Sequence, residues 1–155
     1  MITQKMKYAL KALIVLAEER AGPNGALQIE EIARRSGAPK RFLEHILLQI
    51  RDAGIIASIR GRKGGYRMIR DPGEVPLEPL MRRIEGPLAP LPCLSRSAYQ
   101  RCEDCVDEAT CQLRRMFSGI FWSYLLLVES LTLADLVGEP GHKLLSDPAD
   151  ASPEG

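Results

Sequence analysis

Between Leu27 and Arg70 two short amphipathic helical patterns meet at a tight turn and are followed by two β-branched runs around a glycine cluster. In the first pattern, Gln28 to Arg35, Ile29, Ile32 and Ala33 recur at i, i+3 and i+4 and share one face, while Glu30, Glu31 and Arg34 look outward. Ser36-Gly37 stops it, because glycine past a helix end takes the left-handed conformation, and Pro39 suits the first turn of the next helix, where its missing N–H has no partner. The second pattern turns Phe42, Leu43, Ile46, Leu47 and Ile50 inward and ends near Gly54. Ile55 to Ile59 and Tyr66 to Arg70 then flank Arg60-Gly61-Arg62-Lys63-Gly64-Gly65, a hairpin whose tip is entirely glycine and cation. This succession predicts a mainly α fold, a winged helix-turn-helix with a two-stranded wing. In that layout the start of the second helix meets base edges and the hairpin tip lies along a groove. The candidate nucleic-acid contacts are Gln28, Pro39, Lys40, Arg41, Glu44 and His45, with Arg60, Arg62, Lys63, Gly64 and Tyr66 on the wing.

A basic hairpin alone is equally compatible with a solvated surface turn. The charge distribution favours the functional reading: residues 1–70 hold 14 Lys or Arg against 6 Asp or Glu, a net of +8, whereas residues 71–155 hold 7 against 14, a net of −7. A total of +1 therefore conceals a split molecule whose basic half suits double-stranded DNA and whose acidic half does not.

The 155 residues suffice for one modest core. No apolar run approaches the roughly 18 residues that span a bilayer, and no signal-peptide pattern opens the chain, so a cytoplasmic protein without membrane contact is expected. Residues 1–72 form the expected DNA-binding region, whose first helix runs from about Thr3 to Arg20 with Leu10, Leu13, Ile14 and Ala17 at core spacing. Residues 73–106 read as connector and cysteine loop, with a short helix over Leu77 to Ile84 and a proline-stiffened stretch from Gly86 to Pro92. Residues 107–137 read as a long helix from about Asp107 to Ser130, roughly 35 Å at about 1.5 Å per residue, then a short helix opened by the Thr132 to Asp135 capping box. Leu113, Phe117, Ile120, Phe121, Tyr124, Leu127 and Val128 repeat every three or four residues along the long helix. They are the expected seam of a homodimer, since a helix-turn-helix reader presents two copies to two half-sites of a palindromic operator. Residues 138–155 read as a frayed tail.

All four cysteines, Cys93, Cys102, Cys105 and Cys111, fall within 19 residues at spacing C-x8-C-x2-C-x5-C. Confinement to one loop of a reducing compartment points to a shared metal. A zinc site shows two close pairs of ligands, and only Cys102 and Cys105 make one here; irregular spacing is common around iron–sulfur clusters. The spacing leaves an iron–sulfur cluster and zinc about level, ahead of a thiol–disulfide oxidoreductase using Cys102 and Cys105, which would sit at a helix N-terminus in a βαβ unit that this chain lacks. His45, on the reading helix, and His142, in the tail, suit a groove contact and a solvated side chain better than ligation. No paired carboxylates, nucleophile triad or phosphate loop suggests an enzyme.

Several stretches together resemble the IscR/NsrR-type family of winged-helix transcriptional regulators over about residues 1–137. They are Lys7-Tyr8-Ala9-Leu10, Ile29 to Ala33, Phe42-Leu43-Glu44, Ile50 to Gly54, the wing Ser58 to Tyr66, and Thr132 to Leu136. The resemblance implies a homodimer whose long helices pair, Arg60 reaching into the minor groove, and a cysteine loop that in many members holds an iron–sulfur cluster sensing iron, nitric oxide or redox state. It leaves open a [2Fe–2S] or [4Fe–4S] centre, and a cluster-free regulator answering to a protein partner or to cysteine oxidation. The chain departs from the family pattern at three places. Of the common C-x5-C-x5-C only Cys105 and Cys111 fit, and Tyr99 stands at the first position. Arg114 stands where some members place a ligating histidine, and Lys7 where others place an aspartate. Four cysteines could nevertheless make a complete thiolate set.

Overall fold

The Thr3 hydroxyl accepts the Met6 N–H at 3.2 Å and starts helix α1, Gln4–Glu19. The computed structural model describes residues 2–22 and 25–137; the expected tail over 138–155 lies outside the described residues, as does His142. Met6, Ala9, Ala12, Leu13 and Leu16 give α1 a wide, fully buried face. Helices α2 (Ile29–Ser36) and α3 (Lys40–Asp52) pack against it. Between them Gly37 adopts φ 67°, and its N–H caps the Ala33 carbonyl at 3.0 Å. Pro39 sits one place earlier than the sequence suggested, as the extended N-cap of α3 rather than in its first turn; its carbonyl accepts the Phe42 N–H at 3.0 Å. Phe42 also departs from expectation. Leu43, Ile46, Leu47 and Ile50 fill the inward face of α3, and Phe42, about 100° around the helix from Leu43, stays 42% exposed beside the Tyr8 ring.

Strands β1 (Ile56–Ile59) and β2 (Gly65–Met68) pair antiparallel, Ile56 opposite Met68 and Ile59 opposite Gly65. Ile56 and Met68 are buried at the base, so the hairpin is anchored in the core and its tip projects away from it. Helix α4 (Leu77–Glu85) closes the core with Leu77, Leu80, Met81 and Ile84.

Helix α5 (Gln112–Glu129) begins later than the expected Asp107. Asp107 instead folds a turn on itself, its carboxylate accepting the Ala109 N–H at 3.1 Å and the Thr110 hydroxyl at 3.0 Å. The helix is therefore 18 residues, about 27 Å, long. Its two faces have separate fates. Phe121 packs into a small cluster with Cys93, Leu94 and Leu125, and Val128 joins the main core, so these two residues of the expected seam are buried within their own chain. Phe117 is half-buried against the same small cluster. Leu113, Met116, Ile120, Tyr124 and Leu127 form an exposed stripe on the other side, and Leu113 and Ile120 are 60% and 59% exposed.

After α5 the Thr132 N–H and hydroxyl donate to Asp135 at 2.7 and 3.0 Å, the expected capping box at the start of α6 (Ala134–Val137). A short antiparallel bridge joins Pro76 to Thr132, flanked by Leu77 N–H to Leu131 O at 2.9 Å and Leu133 N–H to Val75 O at 2.8 Å. Through it the far end of α5 is fixed to the chain leaving the wing. Among the described residues no helix is long and apolar enough to cross a membrane.

Leu47 is completely buried between α3 and the rest of the core. Leu47→Ala should cost about 2 to 5 kcal/mol of folding stability, measured as a lower urea midpoint with an unchanged slope.

Candidate nucleic-acid interface and cysteine cavity

Helix α3 presents Lys40, Arg41, Glu44 and His45 to solvent, as the sequence predicts. Leu48, 40% exposed, continues the same face one turn on. In the free protein Lys40 makes a 2.6 Å ion pair with Glu30 of α2, which lowers the Glu30 carboxyl pKa and raises that of the lysine. The Arg41 guanidinium stacks 5.0 Å from the Phe42 ring centre.

The wing is held against the start of α2. Leu27 and Tyr66 exchange backbone hydrogen bonds of 2.9 and 2.7 Å, and the Gln28 side-chain amide donates to the Arg62 carbonyl at 3.1 Å. Gln28 thus touches the wing tip, and Tyr66 is half-buried at this junction. Gly64 is buried inside the hairpin: a Cβ there would lie 2.2 Å from the Ile59 carbonyl, so its part is to let the strands close. Gly65 passes so near Leu27 that a Cβ would fall 2.1 Å from that carbonyl oxygen. The glycines shape the tip, and Arg60, Arg62 and Lys63 stand exposed on it. Pro39 is exposed beside α3.

On the acidic half, all four cysteines line one cavity of about 280 Å³ at the start of α5, together with Leu91, Asp104, Asp107, Glu108 and Arg114. Cys93 is buried in a 3-10 turn, Pro92–Leu94, at the end of the proline connector. Cys102 and Cys105 share a turn, closed by a 3.1 Å bond from the Cys105 N–H to the Cys102 carbonyl. Arg101 donates to the Cys105 and Val106 carbonyls at 3.1 and 3.0 Å and holds that turn. Cys111 is the N-cap of α5, its sulfur accepting the Arg114 N–H at 3.4 Å.

Arg114 joins the walls of the cavity. Its guanidinium donates to the Cys93 carbonyl and lies 3.5 Å from the Glu108 carboxylate, whose other oxygen accepts from the Tyr99 hydroxyl. The sequence comparison marks Arg114 only as a missing ligand; the structure gives it a structural part. Burial pushes the Cys102 thiol pKa up, and contact with the Cys93 thiol adds to the rise. Among the described residues no three His, Cys, Asp or Glu side chains converge as the ligands of one metal ion do. All four thiols nevertheless line the one cavity.

A buried helix-turn-helix core, a basic wing and a solvent-facing second helix define a winged-helix DNA-binding regulator. The chain belongs to the Rrf2 family of iron-dependent transcriptional regulators, which it matches over residues 2–139. It is 63% identical to an rrf2-like HTH-type transcriptional regulator of Rhodobacter capsulatus over 150 residues, 95% of this chain and all of that one. It is 29% identical to the HTH-type transcriptional regulator NsrR of Bacillus subtilis over 136 residues, 88% of this chain and 89% of that one. Among solved structures, CymR, the global cysteine regulator of B. subtilis, superposes with a TM-score of 0.69 at 28% identity, covering 88% of this chain and 95% of that one. The IscR of T. potens shares the fold with a TM-score of 0.68 at 22% identity, covering 98% and 96% of the two chains.

Gly65→Ala combines a backbone collision with the strained φ of 134°. The variant should keep its helical circular dichroism but lose tenfold or more in specific DNA affinity in a gel-shift titration, because the wing can no longer seat on Leu27.

Proposed function

We propose that this protein is a homodimeric, sequence-specific transcriptional regulator whose operator affinity is controlled by an iron–sulfur centre in the Cys93 to Cys111 loop. The observation that carries this reading is the convergence of all four cysteines on one cavity at the head of α5. The donor set suits the centre by its chemistry, four thiols lining one cavity. A lone zinc ion at about 2.3 Å from each sulfur would need the thiolates about 3.8 Å from one another, and no such trio stands together among the described residues. A multi-atom centre spans walls that a single ion does not. Cys93, Cys102, Cys105 and Cys111 would hold it, and when bound it would supply redox and nitric-oxide chemistry.

The remaining work belongs to the chain. Cys111 and Arg114 set where α5 begins, and the bridge between Pro76 and Thr132 ties its other end to the segment leaving the wing. A change in the loop therefore acts at one end of a helix whose other end is fixed beside the DNA-binding region. The exposed stripe Leu113, Met116, Ile120, Tyr124 and Leu127 recurs along one face and is the proposed seam between two copies. Two reading heads joined by such a seam engage two half-sites only at the right spacing. Phosphate attraction by Arg62 and Lys63 tolerates wrong spacing, so the loop would control specific binding more than non-specific binding.

Anaerobic purification with iron, sulfide and zinc analysis tests the sensor. The expected outcome is iron and acid-labile sulfide in the wild type, lost in Cys105→Ala and Cys111→Ala; zinc alone, or no metal, would replace the reading with a zinc-bound or cluster-free regulator. The seam is tested by Ile120→Glu, which should give soluble, folded monomers by light scattering because Ile120 packs on nothing in its own chain's core. Phe121→Glu should instead unfold the region around Cys93, with loss of near-ultraviolet dichroism. A stable Ile120→Glu dimer would place the seam on another face.

A further inference from the structure

The four cysteines are not equivalent. Cys93 is buried with Leu94, Phe121 and Leu125, and Cys102, half-exposed, packs against this cluster. The Gln100 N–H donates to the Pro92 carbonyl at 3.3 Å and folds the segment from Ser95 to Arg101 back, so Cys102 packs against the cluster that holds Cys93 and the two thiols interact. Cys105, two places past Glu103, and Cys111, at the cap of α5, belong to the other walls of the cavity. Cys102 therefore interacts more strongly with a partner distant in sequence than with its C-x-x-C neighbour. Proximity raises the effective concentration of one thiol at the other far above that of any solution thiol.

We infer that Cys93 and Cys102 are an oxidation site of their own, joined by a disulfide when the metal-free protein meets hydrogen peroxide. This deepens the reading of the cysteine loop as the sensory site by assigning the bond that its oxidation makes. Cys102 is the entry point, since it is half-exposed while Cys93 is buried. Its sulfur attacks one peroxide oxygen: an S–O bond forms, the O–O bond breaks and water leaves. The Cys93 sulfur then attacks the resulting sulfenic sulfur: the S–S bond forms, the S–O bond breaks and a second water leaves. The two thiol protons depart in those waters, and the two electrons given up by sulfur reduce the peroxide. The bond would link the proline connector to the C-x-x-C turn and withdraw two of the four thiols from ligation.

The full chain, stripped of metal by a chelator under argon, is treated with hydrogen peroxide, alkylated and digested with trypsin and Asp-N. Cleavage after Arg96 and Arg101 and before Asp104 and Asp107 puts each cysteine on its own peptide. The expected result is a fall from four free thiols per chain to two, with the Cys93 peptide linked to Cys102-Glu103, and recovery of four thiols with dithiothreitol. Cys105→Ser and Cys111→Ser should keep the link; Cys93→Ser and Cys102→Ser should abolish it. A wild-type link between Cys102 and Cys105, a link between chains, or irreversible sulfinic acid without a link would overturn the inference. Because the wild-type map decides, a Cys93→Ser protein that fails to fold does not rescue it. Iron and sulfide in the anaerobic wild type test the cluster separately: the link can form in a protein that never carries iron, and iron can load into a protein in which the link never forms.

Discussion

Burial of α1 is the contact on which the other elements depend. Met6, Leu13 and Leu16 are completely enclosed, and α2, α3, α4, α6 and β2 all pack against this one helix. Each fully buried aliphatic side chain of this size contributes on the order of 1.5 to 3 kcal/mol by leaving water, and short helices such as the eight-residue α2 are marginal in isolation. The reading helix α3 therefore owes its orientation to α1 more than to its own propensity. The same helix connects the halves of the molecule: the Thr3 hydroxyl donates to Glu85 and the Lys5 ammonium donates to the Ile84 carbonyl at 2.9 Å, fastening α1 to the end of α4.

The basic tip gains its geometry from backbone contacts rather than from charge. Arg60, Arg62 and Lys63 repel one another, and long cationic side chains alone would leave a two-stranded ribbon loosely placed. The Leu27 to Tyr66 bridge and the Gln28 contact with the Arg62 carbonyl extend the ribbon by a third short segment and fix the tip relative to α2. Because α2 and α3 share the core, wing and reading helix form one preorganised surface, and less ordering entropy remains to be lost on meeting DNA.

The cysteine cavity lies at the other end of this framework. Arg114 bridges the connector, the acidic turn and the head of α5, the joint on which the proposed control acts. The bridge between Pro76 and Thr132 closes the path at the far end. The proposed coupling requires two arrangements of the joint that differ in free energy with the loop's chemical state.

Sequence alone determined the elements whose signals are local. The spacing of Ile29, Ile32 and Ala33, the Gly37 stop, the glycine cluster between two β-branched runs and the Thr132 to Asp135 box each specify backbone conformation within a few residues, and each element formed where those signals placed it. The charge split and the gathering of four cysteines are likewise visible in one dimension. Tertiary structure decided what depends on neighbours remote in sequence. Phe42 and Leu48 are exposed because other side chains already fill the inward face of α3; Phe121 and Val128 turn into their own chain while Leu113 and Ile120 do not, a distinction that a shared helical period cannot make. The start of α5 was displaced because the Asp107 side chain competes for the backbone groups that a helix would use. The packing of Cys102 on the cluster that holds Cys93 follows from how the chain after the proline connector folds back, since burial and contact are properties of the packed chain and periodicity reports only which residues are able to share a face.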